Sequence, residues 1–299
     1  MRIIRYLDEK KSLMAAVTKE ENIYNLPFSD FLELVYYSRE RKQSILAVVE
    51  ESVNQAIPLN KRLVDLKLLV PIEAKEVWAC GVTYERSKEA RNYEATGGKL
   101  DAATFYDKVY DAERPEIFFK STGDRTVGTE QDVYLRSDSN WQIPEPELGL
   151  ILDKKGVILG YTIGNDMSCR DIEGENPLYL PQAKIWKNSC SIGPAILLAE
   201  SVEDPYQLEI HCCIYRREEK VFEGSAKVNQ LKRKFDELVS FLVRDNIVFD
   251  GTVLLTGTCV VPPNEFTLNE GDRIEIDIPG IGTLNNPVKS LVGKSVTLL

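Results

Sequence analysis

The stretch Pro144–Lys184 reads PEPELGLILDKKGVILGYTIGNDMSCRDIEGENPLYLPQAK. Two apolar runs, ELGLILD and VILGYTIG, flank Asp153-Lys154-Lys155-Gly156, which is a turn signal. Runs of this kind around a turn predict a β-hairpin. Side chains two apart on a strand share a face, so Glu145 and Glu147 project together at the head of the first strand. Folding the second strand back brings Gly164–Asp166 beside Ile143–Glu145, about one strand spacing or ~5 Å away. Whether Asp166 shares the glutamates' face depends on the loop. If Asp153 opposes Gly156, it does. If Gly156 is a bulge and Asp153 opposes Val157, it does not.

Three carboxylates brought together on an apolar hairpin repel one another unless a positive charge sits between them. Ligation by oxygen alone suits magnesium, manganese or calcium, not zinc or copper. Three protein oxygens leave about half of an octahedral shell for water and substrate. The competing reading is a solvated strand face whose acids pair with lysines such as Lys154 and Lys155. The spacing of Glu145 and Glu147 by itself does not separate the two.

Outward from this hairpin, the chain after Pro115 is rich in strands: IFFK, DVYL, AILLA, LEIHCCIYR, VLLTGTCVV and RIEIDI carry β-branched or aromatic residues between turns. A single strong helix is predicted among them, over Val228–Asp245. Strands with a few segregated helices argue an α+β fold, not a doubly wound sheet. No glycine-rich dinucleotide or phosphate loop is present. Residues 1–70 read as a small N-terminal domain. It has a strand near Arg2–Tyr6 and one helix over SDFLELVYYSRERKQSILAVVEESV, with Ser29 as N-cap. The catalytic domain is expected over 71–299. Two charged helical pieces near 85–112, separated by Gly97 and Gly98, suit a cover over a site or a plain surface excursion.

Bulk properties narrow the function. The 299 residues are 43% hydrophobic, enough for one large domain or one large and one small. A net charge of −10 and the lack of a basic tail exclude a nucleic-acid footprint and disfavour an anionic membrane surface. KRK at Lys232–Lys234 reads as a solvated helix face. The N-terminus has no apolar stretch of signal-peptide length, and no window has the ~18 apolar residues of a membrane span. Six cysteines form no CxxC pair, and the single histidine, His211, rules out a zinc pattern. Free thiols in the cytoplasm are the expectation.

The order Glu145-Pro146-Glu147, Asn165-Asp166-Met167-Ser168-Cys169-Arg170-Asp171, Pro181-Gln182-Ala183-Lys184 and Ser191-Ile192-Gly193-Pro194 resembles the fumarylacetoacetate hydrolase superfamily. The resemblance runs from about Pro71 to the C-terminus and reaches weakly into the N-terminal part. It implies a mixed β-sheet roll holding one Mg2+ or Mn2+ on Glu145, Glu147 and Asp166. It also implies a small 2-oxo acid or 1,3-dicarbonyl as substrate, and a homodimer at least. Hydrolytic members carry a lid histidine soon after a G-x-x-Y element. Here Gly81 and Tyr84 are followed by Ser87 and its neighbours instead, and His211 sits in a strand. That departure disfavours carbon–carbon hydrolysis.

The segments RPEIFFKST, RSDSNWQIPEPELGLILD and GYTIGNDMSCRDIEGENPLYLPQAKI resemble the branch that dehydrates sugar acids. These enzymes take water from a five-carbon 2-keto-3-deoxy sugar acid and give 2,5-dioxopentanoate. The alternatives on the same scaffold are an acylpyruvate hydrolase and a 2-oxo acid decarboxylase. On the dehydratase reading Lys184 is the first candidate for base or acid, with a pKa lowered by the adjacent cation, and Glu116 is its partner. Thr258, Arg170 and Lys120 are candidates for binding substrate. For Arg170 an internal ion pair with Asp171 is also expected.

Overall fold

The computed structural model describes residues 1–96 and 105–291. Its centre is a mixed sheet in which the predicted hairpin, Pro146–Leu152 with Ile158–Asp166, occupies the middle. On one side follow Cys190–Leu198, then Arg2–Asp8, Lys11–Val17 and Ile23–Asn25. On the other follow Thr252–Leu255, Val77–Gly81 and Glu116–Ser121. The order is linear and the sheet does not close on itself.

A strand flanked on both edges and covered on both faces is buried along its whole length, as Pro146–Leu152 is, and all of its residues but Glu147 are apolar. The period of two then sorts its side chains. Leu148, Leu150 and Leu152 pack with Ile210, Ile274, Ile276, Phe235 and Leu238. Ile151 and Leu159 pack instead with Phe31, Leu34, Val35, Val48 and Val49 of the N-terminal helices. The first group belongs to a second sheet, ordered Glu219–Lys227, Glu209–Arg216, Asp272–Ile278, Gly282–Ser290 and Val133–Leu135, and to the helix Phe235–Val243. Strands segregated from a few helices make the fold α+β, as expected.

Residues 1–70 share the main sheet: Arg2 and Ile3 pair with Leu197 and Ile196. The helix expected after Ser29 is two helices, Phe31–Arg41 and Ile45–Gln55. Asp30, not Ser29, caps the first, accepting from the Glu33 amide at 2.9 Å. Lys42 in the left-handed region (φ 54°) stops it, and Ser44 caps the next by accepting from Ala47. Local side-chain bonds thus outcompete continuation of the apolar periodicity.

The helix expected over Val228–Asp245 is shorter, Phe235–Val243, after a single turn at Val228–Gln230. The intervening residues are not helical, with bends at Lys232 and Arg233, because tertiary partners claim their polar groups, the Lys232 amide donating to Thr83 O at 3.0 Å. KRK is accordingly no solvated helix face, and Arg233 is buried. The charged pieces near 85–112 form helices Glu85–Thr96 and Phe105–Asp111, with Gly97 and Gly98 outside the described residues. Among the described residues no helix is long and apolar enough to cross a membrane.

Candidate metal centre and active site

The hairpin register settles which face Asp166 takes. Asp153 does oppose Val157, whose carbonyl accepts from the Asp153 amide at 2.9 Å, and Gly156 supplies the left-handed turn residue (φ 83°). That one-residue shift alone would send Asp166 to the far face. A second shift cancels it: Leu152 pairs with Ile158 but Ile151 pairs with Gly160, so Leu159 is an inserted residue. Beyond the bulge Glu147 opposes Gly164, and the Asp166 amide donates to Glu145 O at 3.0 Å. Asp166 therefore stands directly across from Glu145 on the same face. Oxygens of Glu145, Glu147 and Asp166 lie within 4.8 Å of one another, and all three residues are buried.

These carboxylates differ in charge balance. Glu145 receives the Lys184 ammonium and has an Arg170 guanidinium nitrogen 3.7 Å away. Burial pushes its pKa up, but Lys184, Arg91 and Arg170 outweigh burial and hold it below the ordinary value. Asp166 Oδ2 lies 3.2 Å from Lys184 Nζ, and its Oδ1 lies 2.6 Å from Lys120 Nζ. Glu147 has one strong donor, the Gly257 amide at 2.6 Å. Burial, then Asp166 and Glu145, raise its pKa well above the carboxylate range. Such a group calls for a cation. The oxygen-only donor set and the uncompensated Glu147 fit a hard dication, with Glu145, Glu147 and Asp166 as the residues to hold it.

The remaining candidates lie around this cluster. Lys184 ends the short helix Leu180–Lys184. Burial pulls its pKa down, but Asp166 and Glu145 reverse this, so in the protein alone it is raised, opposite to the lowered value expected beside a cation. Lys120 is fully buried and donates to the carbonyls of Met167 (2.9 Å) and Lys184 (2.5 Å) besides its contact with Asp166. It touches the carboxylate cluster and the Lys184 backbone from within. Arg170 turns toward Glu145, while Asp171 accepts from the Ser139 hydroxyl and the Asn140 amide, both at 2.6 Å. Thr258 is buried beside Gly257, its hydroxyl 3.4 Å from Val260 O.

Glu116 opposes Gly81 at the end of its strand and folds across it. A Cβ on Gly81 would come within 2.0 Å of Glu116 Oε2, so only glycine leaves room for this carboxylate. That oxygen is shielded from solvent and has no hydrogen-bond partner among the described residues. Burial is the main reason its pKa is raised, Glu173 and Glu145 adding to it against Arg91 and Lys184. A cleft of about 580 Å³ opens here, lined by Arg91, Arg114, Glu116, Glu173, Leu178 and Leu180. A larger cavity of about 770 Å³, bordered by Arg2, Thr18, Glu203 and Gln207, involves none of these groups.

Two residues of the site escaped the sequence reading. Arg91 of helix Glu85–Thr96 pairs with Glu173 at 2.6 Å, both buried, and Glu173 also accepts from the Ser168 hydroxyl at 3.2 Å. In sequence both look like surface charges of polar helices, and only the packing of helix Glu85–Thr96 on Arg170–Glu175 joins them. Ser87 bonds its own turn, donating to Tyr84 O at 2.7 Å. His211 is part-exposed on the second sheet, 3.9 Å from Glu209.

A model of the fumarylacetoacetate (FAA) hydrolase C-terminal domain matches residues 87–289. The chain belongs to the fumarylacetoacetate hydrolase family. Within it, the chain is 40% identical over 292 residues to a 2-dehydro-3-deoxy-D-arabinonate dehydratase of Saccharolobus solfataricus, covering 97% of this chain and 96% of the relative. It is 42% identical over 279 residues to a probable 2-keto-3-deoxyxylonate dehydratase of Haloferax volcanii, covering 92% and 94%. Among solved structures, a 2-keto-3-deoxy-D-arabinonate dehydratase complexed with magnesium and 2,5-dioxopentanoate superposes with a TM-score of 0.81 at 37% identity, covering 97% of this chain and 99% of the other.

Proposed function

We propose that this chain is a metal-dependent hydro-lyase that converts 2-keto-3-deoxy-D-arabinonate to 2,5-dioxopentanoate and water. The observation that carries this is the convergence of Glu145, Glu147 and Asp166 on one face beside Lys184, in a chain 40% identical over nearly its whole length to a dehydratase of that name. Glu145, Glu147 and Asp166 would hold Mg2+ or Mn2+. When bound, the cation supplies charge stabilisation for the enolate of a 2-oxo acid.

The chain's own groups do the proton work. Lys184 and Glu116 form the acid–base pair: one takes the proton from carbon three, the other delivers a proton to the hydroxyl leaving carbon four. Tautomerisation of the product gives the aldehyde. Thr258 and Arg170 flank the metal cluster on the side of the substrate carboxylate. Lys120 acts from beneath, through Asp166 and the Lys184 carbonyl. The cleft at Glu116, lined by the buried Arg91–Glu173 pair, gives the substrate access to these groups.

On the same reading, residues 1–70 form a small N-terminal domain docked on a catalytic domain of 71–299, with the helices near 85–112 as its lid. The enzyme works in the cytoplasm as a homodimer or higher homo-oligomer. Six unpaired cysteines support a reducing compartment. The test is to offer the purified protein 2-keto-3-deoxy-D-arabinonate, acetylpyruvate and oxaloacetate in turn with Mg2+. Formation of 2,5-dioxopentanoate from the first, with little cleavage of the others, is expected. Preferential cleavage of acetylpyruvate or oxaloacetate overturns the assignment.

A further inference from the structure

The segment Leu231–Lys234 is non-helical, bending at Lys232 and Arg233, where helix periodicity predicts a helix, and its side chains show what it does instead. The last carbonyls of a helix accept no intrahelical bond and so are met by other donors, here at the end of helix Phe105–Asp111. Lys232 Nζ donates to Tyr110 O at 2.7 Å and contacts Asp111 Oδ1 at 2.8 Å. Arg233 donates to Ala112 O (2.5 Å) and Glu113 O (3.1 Å), and is steadied by Glu237 at 2.5 Å. Arg114 extends the same contact, its guanidinium lying 5.4 Å from the Phe241 ring centroid. A cationic fork at a helix C-terminus is favoured by the carbonyls exposed there and by the helix dipole. Arg233 is 6% exposed and both of its carbonyl bonds are part-buried, a setting in which a planar, pre-organised fork holds geometry well.

Glu116 lies three residues past the second carbonyl that Arg233 grips. Pro115, with its fixed φ, is the last residue before the strand begins. The backbone of the same segment reaches the other side of the site. The Lys232 amide donates to Thr83 O, the Thr83 hydroxyl donates to Thr256 O at 2.8 Å, and the next amide, Gly257, donates to Glu147. One short segment therefore ties the exit of the lid to the strand end that carries Glu116 and to the loop that holds Glu147.

We propose that Arg233 is a positioning residue for Glu116, fixing the Ala112–Glu116 backbone so that this carboxylate lies across Gly81 and reaches the substrate. It touches no reacting atom itself. The inference rests on the acid–base role given to Glu116 above. A backbone displacement of about 1 Å at such a group is enough to cost on the order of 100-fold in rate.

The test is a double-mutant cycle in the full chain, with Arg233→Met, Glu116→Gln and both together, assayed for dehydration with Mg2+. Mg2+ binding and thermal unfolding are measured alongside, and Arg233→Lys serves where Arg233→Met does not fold. Arg233→Met is expected to lower kcat about 10- to 100-fold, with KM and Mg2+ affinity changed much less. Glu116→Gln should then cost little more in the Arg233→Met background. Arg233→Lys, which keeps the charge but not the fork, should restore part of kcat. Equal losses from Glu116→Gln in both backgrounds, or an unchanged kcat in Arg233→Met, overturn the role of Arg233 and leave the dehydratase reading standing. A wild-type chain that takes up Mg2+ but forms no 2,5-dioxopentanoate overturns that reading first, and this one with it.

Discussion

At the scale of single residues, the site is a set of charges whose neighbours decide their work. Lys184 faces Glu145 and Asp166 yet is fully buried, so its ammonium is held by those two acids and reaches no solvent. Replacing it by alanine removes a proton carrier and leaves all three carboxylates. Lys184→Ala should lose about 100- to 10,000-fold in kcat while calorimetric Mg2+ uptake persists. Undiminished dehydration would remove Lys184 from the mechanism. Gly81 makes the complementary point, because its missing Cβ is the space that Glu116 Oε2 occupies. Gly81→Ala should therefore cost about tenfold or more in kcat, as Glu116 swings out of line, with Mg2+ affinity retained. Full activity in that variant would place the working position of Glu116 elsewhere. The pairing of Glu145 and Glu147 on one face was legible in the sequence because strand spacing is a local rule, and the turn at Gly156 showed that Asp166 lies near them, though not on which face. Arg91 and Glu173 were not, because nothing local distinguishes a buried charge from a solvated one.

At the scale of elements, register carries the function. The turn shift at Gly156 and the bulge at Leu159 each flip the strand face, and only their sum returns Asp166 to Glu145. The sequence showed the turn but not the bulge, since an inserted leucine in an apolar strand reads like any other leucine. Helix Glu85–Thr96 is held by a comparable cross-element device, the Arg91–Glu173 pair. Removing one partner strands a buried charge, so Arg91→Met should lower unfolding free energy by about 3 kcal/mol, read from the urea midpoint. Adding Glu173→Gln to that variant should recover part of the loss. A double variant no more stable than Arg91→Met would mean that the cost lies in packing and not in the orphaned charge. The truncated helix near Val228 belongs here too: apolar periodicity predicts a helix, but Thr83 and the end of the lid claim the polar groups of Leu231–Lys234 first.

At the scale of the whole molecule, two cores share the central sheet and leave the carboxylates at one end of it. Burial of Glu147 among like charges couples folding to pH. A carboxyl whose folded pKa is raised contributes stability below its unfolded value, about 4.3, and loses it as pH climbs through the folded value. Glu145, shifted downward, acts only below the ordinary carboxylate range. Chelator-treated protein should thus lose Tm between pH 5 and 8. Mg2+ should raise Tm, and more at pH 8 than at pH 5, since it competes with a proton for Glu147. At 100 times Kd the gain is about 2.7 kcal/mol. An equal gain in Glu147→Gln would disconnect the effect from this site. By itself the sequence determined the strand-rich α+β class, the hairpin, the three acids and the lack of a lid histidine, because strand period, turn chemistry and residue type are properties of short segments. Tertiary structure alone decided that Asp166 faces Glu145, that residues 1–70 extend the main sheet, and that Arg91, Glu173 and Arg233 are buried partners. Those outcomes depend on which distant backbone and charge each group meets, and no local pattern encodes that.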